Sequence, residues 1–201
     1  MPVIKRKNIR SIEVITGLLV IFSALSLLAA FLLNFDFTTP YGSLEDDLAF
    51  LASNLERQRV SAYAWMTCTI FFLLVLPFYL LAFRRFQRFF HFFNALILLA
   101  AGYLFLQSGL SGLQIATLLE NFSDPADPGQ ATSHLPVLQW IRRNIWMDKL
   151  GLTMAGLFQV IFGMSLWRAE QFPALGSILL LLSGPTIIIF SWVNPTHILL
   201  T

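Results

Sequence analysis

The chain has 201 residues, 57% of them hydrophobic and 12% charged, with a net charge of +2. A soluble domain carries about 25% charged residues, so this composition excludes an ordinary soluble fold; the cations cluster beside apolar runs, which excludes a phosphate-binding surface for nucleic acid as well. The single cysteine, Cys68, excludes an intrachain disulfide, a CxxC redox pair and a cysteine-based zinc site.

Five stretches lack Asp, Glu, Lys and Arg: Val14–Phe35, Val60–Phe83, Phe89–Leu119, Leu150–Trp167 and Gln171–Thr201. About 20 apolar residues cross a hydrocarbon core of about 30 Å, so each stretch holds one spanning helix, the fourth with nothing to spare. The fold class expected is all-α, an integral membrane bundle of five transmembrane helices with one or two external amphipathic helices, forming a single domain over residues 1–201. Spans are expected at about 12–34, 60–83, 88–108, 148–167 and 173–193, with external segments at 35–59 and 109–147.

Lys5, Arg6, Lys7 and Arg10 precede the first run in the manner of a secretory signal. The run exceeds the roughly 7–15 residues of a signal core and no small-x-small cleavage site follows it, so a retained first helix is expected. With Arg84, Arg85, Arg88 and Arg168 these cations occupy short segments on one side, whereas Arg57, Arg59, Arg142, Arg143 and Lys149 occupy long segments on the other. Positive charge in short loops marks the cytoplasmic side. The N-terminus is therefore expected in the cytoplasm and the C-terminus outside.

In the first external segment, the turn at Thr39-Pro40-Tyr41-Gly42 leads into Ser43-Leu44-Glu45-Asp46, an N-cap followed by an acid at the third helical position. Leu44, Leu48, Leu51 and Leu55 then share one helical face, for a helix that lies on the membrane or packs on its neighbours. The second external segment centres on Ser123-Asp124-Pro125-Ala126-Asp127-Pro128-Gly129-Gln130, read as an irregular loop. Beyond it Leu135, Leu138, Ile141 and Ile145 share a face, with Trp140 and Trp146 at head-group level, as in an interfacial helix leading into the fourth span.

In the fourth span Gly151, Ala155, Gln159 and Gly163, spaced four apart, read as one ridge of small or polar residues for helix packing or ligand contact. Gln159 needs a hydrogen-bond partner on a neighbouring helix. The fifth span contains Ser183-Gly184-Pro185-Thr186, where Pro185 removes a backbone bond and predicts a kink; Gly184 and Pro185 join the candidates for packing or ligand contact. The central part of each expected span is free of charge, which argues against proton-coupled transport and against carboxylate catalysis in the membrane. Glu13, Asp148 and Lys149 fall at expected span ends, as interfacial anchors or the lining of a shallow cavity.

No catalytic, cofactor-binding or metal site is assigned, and no cofactor is implied. Of His91, His134 and His197 only the external pair, His134 and His197, approximates the matched depth that a bis-histidine haem requires; Asp124 and Asp127, each followed by proline, read as turn residues before they read with His134 as metal ligands. The function expected is a non-enzymatic accessory, assembly or sensing component. The alternatives are a transporter or channel for a small neutral or apolar solute, resting on Gln159 and Pro185, and a lipid-modifying enzyme using Asp124, Asp127 or His134. The partners expected are the lipid bilayer and a protein partner or second copy meeting the fourth span, with no nucleic acid.

The stretch Gly163-Met164-Ser165-Leu166-Trp167-Arg168-Ala169-Glu170-Gln171-Phe172-Pro173-Ala174-Leu175-Gly176 resembles the last helical hairpin of small bacterial membrane proteins grouped as domain of unknown function 4386. In layout, Gly17 to Ala30 followed by an external helix is similar as well. The resemblance implies a bacterial inner-membrane setting and supplies no functional residues.

Overall fold

The computed structural model describes residues 51–82, 88–121, 134–169 and 174–193, all helical except Asn54. The expected first span, the start of the Ser43 helix, the loop over 123–130 and the residues after 193 lie outside the described residues. Four helices follow in chain order: α1 (Leu55–Ala82), α2 (Arg88–Asn121), α3 (His134–Ala169) and α4 (Ala174–Val193). Three have stretches long and apolar enough to cross a membrane, Leu55–Leu81, His91–Glu120 and Pro136–Ser165; the corresponding stretch of α4, Ser177–Trp192, is shorter.

Two helices run more than ten residues beyond the spans expected for them. α2 continues to Asn121 instead of ending near 108, and within this extension the Ser111 and Thr117 hydroxyls donate to the Gln107 and Leu113 carbonyls. α3 begins at His134, so the expected interfacial helix and the expected fourth span are one continuous helix. Asp148 and Lys149 lie well inside it and not at its end. α4 stays helical through Pro185, whose side chain is exposed.

The helices pair in series, α1 with α2, α2 with α3 and α3 with α4. Each pair is antiparallel. Along α1–α2, Gly102 meets Thr69 and Gly112 meets Ala62; along α2–α3, Gly112 meets Asn144 whereas Phe105 meets Gly151; along α3–α4, Gly163 meets Ser177 and Gly156 meets Ile188.

The face α2 buries follows alternating steps of three and four: His91, Asn94, Leu98, Ala101, Phe105, Ser108, Gly112, Ile115 and Leu119. This is the spacing with which one helix keeps a seam against another over many turns. α3 answers with Val137, Ile141, Asn144, Asp148, Gly151 and Ala155, at the same steps. Three apolar clusters lie along the seam. Ile115, Leu119 and Val137 form one cluster, with Leu51, Leu55, Trp140 and Ile141 packed on it. Trp65, Cys68, Ala101, Phe105 and Ala155 form the second, and Val75, Tyr79, Ala95, Leu98 and Phe158 the third. Leu51 and Leu55 thus pack on neighbouring helices.

The surface inverts the soluble pattern. Ile70, Leu81, Leu182 and Ile189 are more than half exposed, whereas Ser61, Asn94, Ser108, Ser111 and Ser177 are buried. Water would penalise that arrangement and lipid favours it, since apolar side chains gain nothing by leaving hydrocarbon while polar ones need partners inside the bundle.

α3 and α4 approach most closely at Gly156 and Gly184: a Cβ on Gly156 would stand 2.7 Å from the Gly184 carbonyl oxygen, and one on Gly184 would stand 2.6 Å from that of Gly156. Backbone cannot yield as a side-chain tip does, so Gly156→Leu is expected to cost about 1–3 kcal/mol through overpacking. Gly102→Ala, whose added carbon would lie 3.9 Å from Thr69 Cγ2, is expected to leave stability unchanged. Thermal melting of both variants in detergent checks the pair; equal melting temperatures would contradict the close contact.

Candidate functional site

One turn of the α2–α3 seam is polar. Asn144 and Asp148 are four residues apart on α3 and therefore share a face, and both reach Ser108 on α2. Ser108 is fully buried. Its Oγ lies 2.9 Å from Asn144 Oδ1 and is also hydrogen-bonded to Asp148 Oδ1. The Phe105 ring against Gly151 closes the seam on one side of this cluster, and Gly112, where a Cβ would come 3.6 Å from Asn144 Nδ2, borders it on the other.

The cations beside Asp148 are engaged elsewhere. Arg143 donates to Gln107 Oε1 at 3.1 Å and lies 5.1 Å from the centre of the Trp140 ring. Lys149 Nζ sits 5.9 Å from the Trp146 ring centre and 5.2 Å from that of Trp192. Both are cation–π distances. Arg59 pairs with Glu56 and, across to α2, with Glu120 at 2.5 Å.

A second polar cluster lies toward the other end of the helices. Asn94 Nδ2 donates to the Tyr79 hydroxyl oxygen at 3.0 Å, and the same hydroxyl is hydrogen-bonded to His91 Nδ1, 2.9 Å away. Phe158 and Phe162 of α3 pack edge-on against the Tyr79 ring. This His91 is structural in geometry, tying α2 to α1. Asn94 Oδ1 and Ser177 Oγ are buried with no hydrogen-bond partner among the described residues.

The six residues singled out in the sequence do not form one surface. Gly151 and Ala155 face α2, against Phe105 and within the cluster of Trp65, Ala101 and Phe105. Gln159 and Gly163 face α4: Ser183 Oγ donates to Gln159 Oε1 at 2.8 Å, and Gly163 sits against Ser177, Leu180 and Leu181. The reason is rotational, since a step of four residues advances about 40° around a helix and three such steps carry the row from one neighbour to the next. Gly184 meets Gly156 and Val160, and Pro185 is exposed. Asp124 and Asp127 lie outside the described residues, as does the His134 side chain.

Sequence reasoning does not single out Ser108, Asn144 and Asp148 together, because equating spans with charge-free runs puts Asp148 at a span end. The signal lies in the spacing: polar residues 144 and 148 continue into 151 and 155 with steps of four, three and four. Among the described residues, no group of three or more His, Cys, Asp and Glu side chains comes together to hold a metal ion.

No family model matches the chain, and no curated protein or solved structure matches it either.

The Gln159–Ser183 bond yields a test. Interhelical hydrogen bonds in membranes are worth about 0.6 kcal/mol on average, and leaving one polar partner unpaired costs more than removing both. Ser183→Ala is expected to destabilise the fold by about 1 kcal/mol, and Gln159→Leu combined with Ser183→Ala to restore most of that loss. Unfolding titrations in mixed micelles read both variants; a double variant weaker than the single one would refute the pairing.

Proposed function

We propose that the chain is a non-enzymatic component of a membrane, acting in assembly or sensing as an accessory subunit. One observation carries this reading: the polar and small side chains singled out on α3 and α4 are taken up in fastening helix to helix, as in Gln159 with Ser183, Gly156 with Gly184 and Gly151 with Phe105. Such use is structural before it is chemical. We place the full protein in a bacterial inner membrane, with a fifth span over about 12–34, the N-terminus cytoplasmic and the C-terminus external, in line with the short basic segments. The likeness of Gly163–Gly176 to domain of unknown function 4386 proteins supports that setting alone.

A partner or second copy would meet the outward faces, since Gly151, Ala155 and Gly163 are spent inside the chain. Transport of a small neutral solute is the second reading, favoured by the Gln159–Ser183 pair at the α3–α4 interface. Lipid chemistry would need Asp124, Asp127 or His134.

Native mass spectrometry of the protein gently extracted from its own membrane separates these readings. A stoichiometric protein partner or a defined self-oligomer is the result expected. A monomer that retains a specific small solute would transfer the assignment to transport.

A further inference from the structure

We propose that Asp148 is a proton-binding site, held as the neutral acid in the α2–α3 seam and donating its proton to Ser108. The inference uses the membrane setting of the helices and goes beyond the accessory role, which would stand without it.

Three oxygens converge: Ser108 Oγ, Asn144 Oδ1 and Asp148 Oδ1. A hydroxyl owns one hydrogen, and an amide oxygen and a carboxylate own none. With Ser108 donating to Asn144 Oδ1, the contact between Ser108 and Asp148 lacks a hydrogen unless the carboxyl supplies it. A protonated Asp148 completes a chain in which the acid donates to Ser108 Oγ and the hydroxyl donates to Asn144 Oδ1.

Among the described residues, the cations nearest in sequence to Asp148 make their contacts with other groups. Arg143 is held by Gln107 and Trp140, and Lys149 by Trp146 and Trp192, the latter on α4. Arg142 is exposed. On α2 the groups at this level are Ser108, Gln107 and Gly112, all neutral, and from α1 the side chains against Gly109 and Gly112 are Met66 and Ala62. Depth acts in the same sense. Ser108 lies in the apolar stretch His91–Glu120 and Asp148 in Pro136–Ser165. An unpaired carboxylate in such a place costs several kcal/mol, which protonation removes.

Raising the pH breaks the Asp148 O–H bond; the proton passes to water and the electron pair stays on the carboxyl oxygen. The carboxylate left behind turns Ser108 toward itself and deprives Asn144 Oδ1 of its donor. Stability contributed by the bound proton is therefore present at low pH and lost as pH rises through the ionisation of Asp148. The site makes the α2–α3 junction sensitive to proton activity.

Infrared difference spectroscopy of the full-length protein in lipid vesicles tests this directly. At pH 7 the wild type is expected to show a protonated carboxyl C=O band, displaced in D2O, lost at alkaline pH and missing from Asp148→Asn. The side-chain amide introduced by that substitution offers an N–H to Ser108 and does not ionise, so the variant's melting temperature is expected to lose the alkaline decline that the wild type shows. Should Asp148→Asn fail to fold, Ser108→Ala serves in its place: it removes the acceptor and is expected to keep the band at a displaced frequency. Absence of an acid band at pH 7, or a band that neither substitution alters, overturns the proposal. In that case Asn144 presents its amide N–H to Ser108 and Asp148 is ionised.

Discussion

Every polar side chain placed within these helices must find its partner in the chain, because hydrocarbon offers none. The buried face of α2 meets that constraint at three levels, with Asn94 Oδ1 the exception. His91 and Asn94 join Tyr79, Ser108 joins Asn144 and Asp148, and the Gly102 carbonyl accepts a bond from Thr69 at 3.1 Å. Each bond crosses from one helix to another and so fixes axial position. A slip of one turn, about 5.4 Å, would separate all of them together. Apolar contacts between the same helices specify register far less sharply, since leucine against leucine differs little after such a slip.

Close approach of backbone makes these bonds geometrically available. Side chains as short as serine reach across only where residues such as Gly109, Gly112 and Ala62 let the helices near one another. Small residues and polar residues therefore interleave on the seam, and larger groups such as Phe105 and Trp65 fill what space remains, with ring centres 4.9 Å apart. Dispersion and hydrogen bonding thus depend on one another here, a dependence expected wherever lipid removes the hydrophobic drive for helices to associate.

The membrane class is legible in the sequence, because absence of charge over long runs has one dominant physical cause. Helix ends are less legible. Charge marks where a span reaches polar surroundings, whereas a helix ends where its backbone hydrogen bonds end, and between 109 and 121 or 134 and 147 nothing interrupts them. The row Gly151, Ala155, Gln159 and Gly163 reads as one ridge because spacing of four looks constant in sequence, yet its rotation divides it between α2 and α4. Steps of three and four, which hold a constant heading, lead instead through Asn144 and Asp148. The Tyr79–His91–Asn94 cluster is hidden for another reason: an all-round apolar helix has no polar face against which a buried histidine stands out, and the aromatic neighbours Phe92 and Phe93 point outward.

Pairing in series has a consequence for biogenesis. Among the described helices the main contacts join elements that are adjacent in the chain, so contacts are local in sequence and loop closure costs little entropy. Chain order alone makes the α1–α2 hairpin available before α3 is complete, so α3 can dock on a face already assembled. Ser108 precedes Asp148 in the chain, and a partner for the acid therefore exists by the time the acid is made.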